Sequence, residues 1–214
     1  LIHADLRDER QLNAAFEQTT FAAVIHLAAL KAVGVSMAQP LQYYDVNVAG
    51  TLALLAAMRH ANVRTLVFSS SATVYGDAST VPIREDSPRN PTNPYGRTKA
   101  AAEDILTDLA HAEPGWRLAV LRYFNPIGAH ESGLIGEDPQ GTPDNLLPYI
   151  TQVAIGCRKA LNVFGNDYPT PDGTGVRDYI HVVDLAEGHI AALQCLEASG
   201  GCIIANLGTG YGLS

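Results

Sequence analysis

The chain has 214 residues, of which 47% are hydrophobic, and its 22 acidic and 14 basic residues give a formal net charge of −8. This is enough material for a sizeable buried core, and the acidic balance argues against a general affinity for nucleic acid or anionic membranes. No apolar run is long enough to span a bilayer. The three cysteines, Cys157, Cys195 and Cys202, form neither a CxxC pair nor a disulfide framework, which is compatible with a cytoplasmic location.

Both ends of the sequence interrupt predicted elements. Leu1 stands inside what reads as the last residues of a strand, and no signal or transit segment is visible before it. At the other end, a strand predicted at residues 203–207 is followed by a glycine-rich turn at residues 208–212, which should lead into a further element. We therefore expect the sequence to be part of a longer protein.

Short apolar runs alternate with longer helical patterns through the first half of the chain. Strands are predicted at residues 22–27, 65–69 and 117–122, and helices at residues 40–60 and 94–111. The first two strands are apolar on both faces, as strands covered by helices on both sides are. The sequence therefore predicts an α/β fold with a doubly wound, parallel Rossmann-type sheet.

The composition changes after this first half. Residues 125–178 are rich in Gly, Pro, Asn and Asp, with one helical pattern at residues 147–157, which is typical of ligand-binding loops. A further amphipathic helix is predicted at residues 181–196. We expect a Rossmann domain at residues 1–124 and a smaller, mainly substrate-binding region at residues 125–214, whose elements at residues 181–207 partly return to the Rossmann core.

Hydroxyl, phenol and ammonium groups follow the predicted strands. Ligands of doubly wound sheets bind beyond the carboxyl ends of the strands, and Ser71 stands just after the second strand. About one βα unit later, Tyr95 and Lys99 lie four residues apart at the start of a helix, so their side chains share one face. A nearby ammonium and the positive nicotinamide of an oxidised cofactor favour the phenolate. Tyr95 then becomes a usable general base, and Ser71 could hydrogen-bond the reacting oxygen.

A Tyr-x-x-x-Lys pair is weak evidence by itself, because such pairs occur by chance on the surfaces of many helices. The context is what favours catalysis, since a serine-rich strand end precedes the pair by one structural unit. His26, His130 and His181 show no metal-ligand spacing, so no metal is expected.

Four motifs in chain order carry a resemblance to a known family. They are LKAVGVS at residues 30–36, SSSATVYG at residues 69–76, RYFNP at residues 122–126 and GVRDYIH at residues 175–181. With Ser71, Tyr95 and Lys99 placed as a catalytic triad, the sequence resembles the extended short-chain dehydrogenases, and among them the UDP-glucose 4-epimerases, over nearly its whole length. Ala72 and Thr73 stand where dehydratases of this branch typically carry Asp-Glu, which favours an epimerase.

The resemblance implies a set of NAD-binding residues. In it, Asp5 and Leu6 flank the adenine, Asn47 aligns the active-site strand and Phe124 lies near the nicotinamide. The full set is Asp5, Leu6, Leu27, Ala28, Ala29, Lys31, Asn47, Ser69, Tyr95, Lys99 and Phe124. Simpler interpretations stay open for several of them: an ordinary turn aspartate for Asp5, a solvated side chain for Lys31, a packing amide for Asn47 and a core aromatic for Phe124.

The resemblance also implies a set of residues that bind the nucleotide-sugar. Asn125 and Arg177 resemble diphosphate ligands, and a guanidinium suits bidentate recognition of phosphate; an arginine in an exposed salt bridge is the alternative. Asn162 and Phe164, around a short apolar strand, resemble the uracil-binding edge. The full set is Ser71, Tyr95, Asn125, Asn145, Leu146, Asn162, Phe164 and Arg177.

The activity that the resemblance implies is epimerisation at C4 of a UDP-hexose through a 4-keto intermediate with bound NAD. A homodimer is implied as well, in which helices like residues 40–60 and 94–111 pair with their copies. Two alternatives stay open: another nucleotide-sugar dehydratase or decarboxylase of this type, and a catalytically silent dinucleotide-binding protein. The family's first strand with its Gly-rich turn and the C-terminal part of the substrate site are absent from the sequence, so the segment alone is expected to be inactive.

Overall fold

The computed structural model describes residues 1–214. The helices are α1 (Glu9–Gln18), α2 (Val33–Ala38), α3 (Pro40–Tyr44), α4 (Gly50–His60), α5 (Pro94–Ala112), α6 (Leu146–Ala154) and α7 (Val182–Ser199). The strands are β1 (Val24–His26), β2 (Thr65–Ser71), β3 (Arg117–Tyr123), β4 (Asn125–Ile127), β5 (Arg177–His181), β6 (Gly201–Leu207) and β7 (Gly212–Leu213). None of the helices combines the length and the hydropathy needed to cross a membrane.

The chain divides into two compact units. One comprises Leu1–Tyr123 with His189–Asn206, and the other comprises Phe124–Gly188 with Leu207–Ser214. The first break thus falls one residue before the domain boundary predicted from the sequence, and the first unit also takes up residues 189–206. The division of cofactor and substrate binding between the two units stays a prediction.

A four-stranded sheet in the order β1-β2-β3-β6 forms the centre of the first unit. β1, β2 and β3 run parallel, and seven successive residues of β2 pair with β3 from Thr65–Arg117 to Ser71–Tyr123. Leu66 and Val67 of β2 and Leu118 to Val120 of β3 are fully buried, because strands of a parallel sheet are covered on both faces. The predicted Rossmann-type sheet is confirmed.

The helices of the first unit pack against this sheet through one apolar cluster. Met58 of α4, Leu106 of α5, Leu66 of β2 and Trp116 before β3 are all buried in it. α1, which the sequence analysis did not predict, contributes Leu12 and packs against α4. Because the members from β2 and β3, Leu66, Phe68, Leu118 and Val120, are alternate residues of their strands, this cluster covers one face of the sheet.

The helix predicted at residues 40–60 is interrupted. α3 and α4 are joined by a π-helical segment, Asp45–Ala49, with backbone dihedrals that stay helical on either side. Such insertions are rare and often lie at functional sites. Here the segment carries Asn47, whose side chain is buried.

The second unit contains a small three-stranded sheet in the order β4-β5-β7. β4 and β5 are parallel, whereas β5 and β7 are antiparallel. The Asp178 carboxylate of β5 accepts hydrogen bonds from the backbone N–H groups of Thr209 and Gly210 and from the Thr209 hydroxyl. This carboxylate fixes the turn that precedes β7.

Two sequence predictions about strands are wrong. The short apolar strand expected around Asn162 and Phe164 does not form, and Val163 and Phe164 are 68% and 98% exposed. Residues 1–5, expected to end a strand, are also irregular and lie outside the four-stranded sheet. An apolar run becomes a strand only where a neighbouring backbone pairs with it.

Candidate active site

The carboxyl end of β2 faces the first turns of α5. The ammonium of Lys99 donates a 2.7 Å hydrogen bond to the carbonyl of Ser69, and the Ser71 hydroxyl lies close enough to the Tyr95 phenol to lower its pKa. α5 begins where it does because Asn93 caps it, accepting from the N–H of Gly96 at 2.9 Å, and because Pro94 occupies the first helical position. The predicted triad of Ser71, Tyr95 and Lys99 therefore lies together.

The hydroxyl of Ser71 has a defined direction. Its oxygen accepts from the N–H of Thr73 at 3.2 Å and from the Thr73 hydroxyl at 2.9 Å. A hydroxyl has two lone pairs and one hydrogen, so the hydrogen of Ser71 stays available for the phenol oxygen of Tyr95 beside it. A donor in that position stabilises a phenolate.

Burial has the largest influence on the pKa values of both Tyr95 and Lys99. It raises the pKa of the Tyr95 phenol, and the Ser71 hydroxyl beside it opposes this rise. It also lowers the pKa of the Lys99 ammonium to about 8, against the attraction of the Glu103 carboxylate. The Lys99 nitrogen lies 5.9 Å from the centre of the Tyr95 ring and is hydrogen-bonded to Ser69. The residues of the chain alone thus leave the phenol neutral at neutral pH.

Asn47 holds the segment that follows β1. Its side-chain oxygen accepts from the N–H of Leu30 at 2.8 Å, and its amide donates to the Leu30 carbonyl and to the Thr98 hydroxyl, each at 3.0 Å. The amide therefore ties the loop after β1 to α5. Within that loop Leu27 and Ala28 are exposed and Ala29 is half-buried, so that this backbone is accessible to a ligand.

The other predicted cofactor residues of the first unit lie before α1 or after β1. Asp5 pairs with Arg7 at 2.7 Å, which holds the pKa of the carboxyl well below its usual range. Arg7 also pairs with Asp45 at 2.6 Å. Leu6 packs beside Gly50, where an added Cβ would come within 2.9 Å of it. Lys31 is exposed.

The remaining predicted site residues lie in the second unit. Asn125 begins β4, Arg177 begins β5, and both are exposed. Asn145 stands at the N-cap position of α6 and donates to Glu137 at 3.2 Å. The other members of this group are Phe124, Leu146, Asn162 and Phe164, of which the last three are exposed.

The sequence analysis missed a buried polar cluster beside the triad. Glu103 accepts hydrogen bonds from the Ser70 hydroxyl and from two nitrogens of Arg122. Both charged residues are at most 2% exposed. A signal for Glu103 was present, because this carboxylate stands at a helix position between two buried apolar residues, Ala102 and Leu106.

Residues 1–208 match the model of the NAD dependent epimerase/dehydratase family. Among individual proteins, the chain is 60% identical over 213 residues to the UDP-glucose 4-epimerase of Dictyostelium discoideum, covering 99% of this chain and 62% of that protein. It is 59% identical over 211 residues to the human UDP-glucose 4-epimerase, covering 98% and 61% of the two chains.

Solved structures resemble the chain closely. The crystal structure of UDP-glucose 4-epimerase from Bifidobacterium longum, in complex with NAD+ and UDP, has a TM-score of 0.94 and 52% identity, over 99% of this chain and 63% of that one. The enzyme from Stenotrophomonas maltophila, with bound NAD and formylated UDP-arabinopyranose, has a TM-score of 0.95 and 54% identity, over the same shares. The chain therefore spans less than two thirds of the length of these relatives.

Proposed function

The chain belongs to the NAD dependent epimerase/dehydratase family, and from this premise we propose that the complete protein is an NAD-dependent UDP-glucose 4-epimerase. The observation that carries the proposal is the triad: the Ser71 hydroxyl lies beside the Tyr95 phenol, and Lys99 lies buried one turn further along α5. The relatives that are 60% and 59% identical to the chain are named UDP-glucose 4-epimerases. The proposed reaction interconverts UDP-glucose and UDP-galactose.

The residues of the first unit fit a dinucleotide. The hydrogen bond to Ser69 uses one of the three hydrogens of the Lys99 ammonium, and the others suit the hydroxyls of a ribose. The exposed backbone at Leu27 and Ala28 offers close approach beyond β1, where dinucleotides bind in doubly wound sheets. Asp5, Leu6, Ala29, Lys31, Asn47 and Tyr95 belong to the proposed set of NAD-binding residues as well, and Phe124, the first residue of the second unit, completes it.

Tyr95 is the proposed general base. It removes the proton of the sugar 4-hydroxyl while a hydride leaves C4, and NAD supplies the acceptor for that hydride. Burial raises the pKa of the Tyr95 phenol, and the positive charges of Lys99 and of the oxidised nicotinamide oppose it. Ser71 donates to the phenolate and then to the reacting oxygen. Return of the hydride to the other face of the 4-keto sugar inverts the centre.

The proposed contacts with the nucleotide-sugar come from the second unit. Arg177 and Asn125 bind the diphosphate, and the guanidinium offers paired N–H donors for this task. Asn145 and Leu146 contact the nucleotide, and Asn162 and Phe164 bind the uracil. A UDP end that stays anchored in this way leaves the sugar free to turn between the two hydride transfers.

The variant Tyr95→Phe of the complete protein tests the proposed base. It removes one oxygen with little change in packing, so we expect kcat to fall by about 10²- to 10⁴-fold, the usual contribution of a general base. The measurement is conversion of UDP-glucose to UDP-galactose, with the bound NAD quantified in parallel.

Tyr43→Phe is the matched control for this experiment. Tyr43 is a second buried phenol in the same unit, and its hydroxyl donates to the Ala32 carbonyl at 2.6 Å. We expect its loss to leave kcat within a few-fold of wild type. Turnover at the wild-type rate in Tyr95→Phe, with NAD bound, would refute the proposed base.

The products of the same reaction separate the epimerase from its alternatives. A UDP-galactose product supports the proposal, whereas a keto or decarboxylated sugar indicates a dehydratase or decarboxylase. Bound NAD without any turnover of nucleotide-sugars indicates a silent dinucleotide-binding protein.

We further propose that the complete protein is a cytoplasmic homodimer. The helical stretch formed by α3, the π-helical segment and α4 carries exposed apolar side chains at intervals of eight and four residues. Tyr44 and Leu52 are 40% and 48% exposed, and Ala56 is exposed as well. A second copy of the chain would cover these side chains. The three cysteines are free, which is compatible with the reducing cytoplasm.

A further inference from the structure

Three successive serines at the end of β2 each meet α5. Ser69 accepts from Lys99 through its carbonyl and Ser70 donates to Glu103, while the Ser71 hydroxyl lies beside the phenol of Tyr95. The three partners on α5 are spaced four residues apart and share one face of the helix. The Ser70–Glu103 contact therefore lies in line with the contacts that Tyr95 and Lys99 make with β2, and all three depend on how α5 is aligned with that strand.

Glu103 is itself fixed by charge pairing. Arg122 of β3 contacts both carboxylate oxygens of Glu103, with Nη2 at 2.7 Å and Nε at 3.0 and 3.3 Å. The remaining terminal nitrogen of Arg122 donates to the Tyr75 hydroxyl at 2.7 Å. Glu103 is 1% exposed. Two buried charges with this many partners tolerate little displacement, because a shift would leave one of them uncompensated.

Glu103 also acts on Lys99 through its charge. Burial lowers the pKa of Lys99 to about 8, and the Glu103 carboxylate, one helical turn away, opposes this effect. Among the other ionisable groups around Lys99, Tyr95 lies on α5 itself and His26 on β1, and His26 is neutral near pH 7 because burial lowers its pKa to about 4. Glu103 is thus the anion that favours the ammonium.

We propose that Glu103 is a positioning residue of the Tyr95–Lys99 pair, which holds the end of β2 in register with α5 through Ser70 and keeps Lys99 protonated through its negative charge. The inference rests on the proposed epimerase function and assigns a part of that reaction to a residue outside the triad. Glu103 is enclosed by Ser70, Arg122 and Arg89, and Nη1 of Arg89 lies 3.2 Å from its carboxylate. Glu103 therefore influences the reaction only through its effects on Ser70 and Lys99.

The charge part of the proposal is tested without substrate. The titration of Lys99 is followed by NMR in the complete protein with labelled lysine, and its signal is identified by its loss in Lys99→Met. We expect Glu103→Gln to lower the Lys99 titration by roughly 0.5 to 1 pH unit, since Arg122 and Arg89 already offset part of the carboxylate charge. Glu103→Asp keeps the charge and is expected to restore the titration.

Glu113→Gln is the matched control for the titration. Glu113 is paired with Arg59 and Arg64 at 2.9 and 2.8 Å, just after the end of α5. Its loss removes ion pairs from the same unit without changing the charge beside Lys99. Equal Lys99 titrations in Glu103→Gln and Glu113→Gln would overturn the charge part of the proposal.

The register part is tested with Ser70→Ala, which leaves the Glu103–Arg122 pair intact and so is expected to fold. We expect kcat to fall roughly tenfold with the KM for UDP-glucose unchanged, because small displacements of catalytic groups slow the chemical step. Thr107→Val is the control, since Thr107 lies on the same helix and donates only to the Glu103 backbone carbonyl, at 2.8 Å. A Ser70→Ala enzyme with the kcat of Thr107→Val would contradict this part.

A disruptive effect of the Glu103→Gln variant on folding is handled by the double variant Glu103→Gln/Arg122→Gln, which removes both members of the buried pair. A smaller fall in the Lys99 titration is expected there, because the positive charge of Arg122 is lost together with the carboxylate, and a Lys99 titration above the wild-type value counts against the proposal. Absence of epimerase activity in the wild type would contradict the proposed function alone, because the Lys99 titration still decides the role of Glu103.

Discussion

His26, the last residue of β1, carries an imidazole that is buried as a neutral group. Its Nε2 lies 3.0 Å from the hydroxyl of Thr51, which in turn donates to the Asn47 carbonyl at 2.6 Å. Because Thr51 has already used its hydrogen, Nε2 of His26 must be the donor, which assigns the Nε2–H tautomer from the network. Burial, assisted by the Lys99 charge, lowers the pKa of His26 from 6.5 to about 4.

The lowered pKa of His26 makes the protein sensitive to acid. As the pH falls from 6.5 towards 4, the unfolded chain binds a proton at His26 and the folded chain does not, so the free energy of unfolding decreases by up to about 3 kcal/mol. We expect His26→Gln, which keeps a donor for Thr51 and does not titrate, to lose less stability over this range. Chemical denaturation of the complete protein at several pH values measures the difference. Parallel curves for wild type and His26→Gln would show that His26 does not cause the acid sensitivity.

Among the elements, the start of α5 is the one on which the site depends. The cap at Asn93 fixes the first turn of the helix, which contains Tyr95, and the second turn contains Lys99. The spacing of the Tyr-x-x-x-Lys pair sets which residues share a face, but the cap sets where that face begins. A frayed first turn would separate Tyr95 from Ser71.

Asn93→Ala is therefore expected to reduce both stability and rate. Loss of the cap costs about 1 kcal/mol of unfolding free energy, and fraying of the first turn should lower kcat. Asn93→Asp keeps the acceptor and suits the helix dipole, so both quantities should stay near wild type. Asp8→Ala removes the corresponding cap of α1 and is expected to lower stability without lowering kcat. Denaturation and initial-rate measurements on the same preparations decide between these outcomes.

The main elements of the parallel sheet were predictable from local patterns. β2, β3 and α5 begin at their predicted residues and extend by one or two residues at their ends, since a doubly covered strand or an amphipathic helix has a distinct hydrophobic period. The strand expected around Asn162 and Phe164 failed because its pattern is equally compatible with an exposed loop. The π-helical segment at Asn47 could not be predicted, because the pattern of apolar residues at positions 40–60 is also compatible with one continuous α-helix.

At the scale of the whole molecule, the proposed homodimer depends on the apolar side chains of α4 and the residues before it. Leu52 is close to the middle of this stretch. A charged side chain introduced there would be buried in the proposed dimer interface without a partner, which is unfavourable. We expect the complete protein to sediment as a dimer at micromolar concentration and Leu52→Lys to sediment as a folded monomer.

An apolar side chain of comparable exposure serves as the control for Leu52. Ile190 of α7 is 53% exposed, and Ile190→Lys should leave the sedimentation coefficient of the dimer unchanged. A monomeric wild type at micromolar concentration would rule out the homodimer.

The sequence by itself determined the type of sheet, and it predicted the triad of Ser71, Tyr95 and Lys99, whose catalytic role stays a prediction. Periodic apolar runs define strands and helices locally, and a spacing of four places Tyr95 and Lys99 on one helical face. Only the tertiary structure decided which long-range partners lie at this site: the Ser69 carbonyl for Lys99 and the Glu103 carboxylate for Ser70. Residues such as Ser70 and Glu103 are 33 positions apart in the chain, and the register of two packed elements, which brings them together, is set by the packing of the whole core and not by either segment.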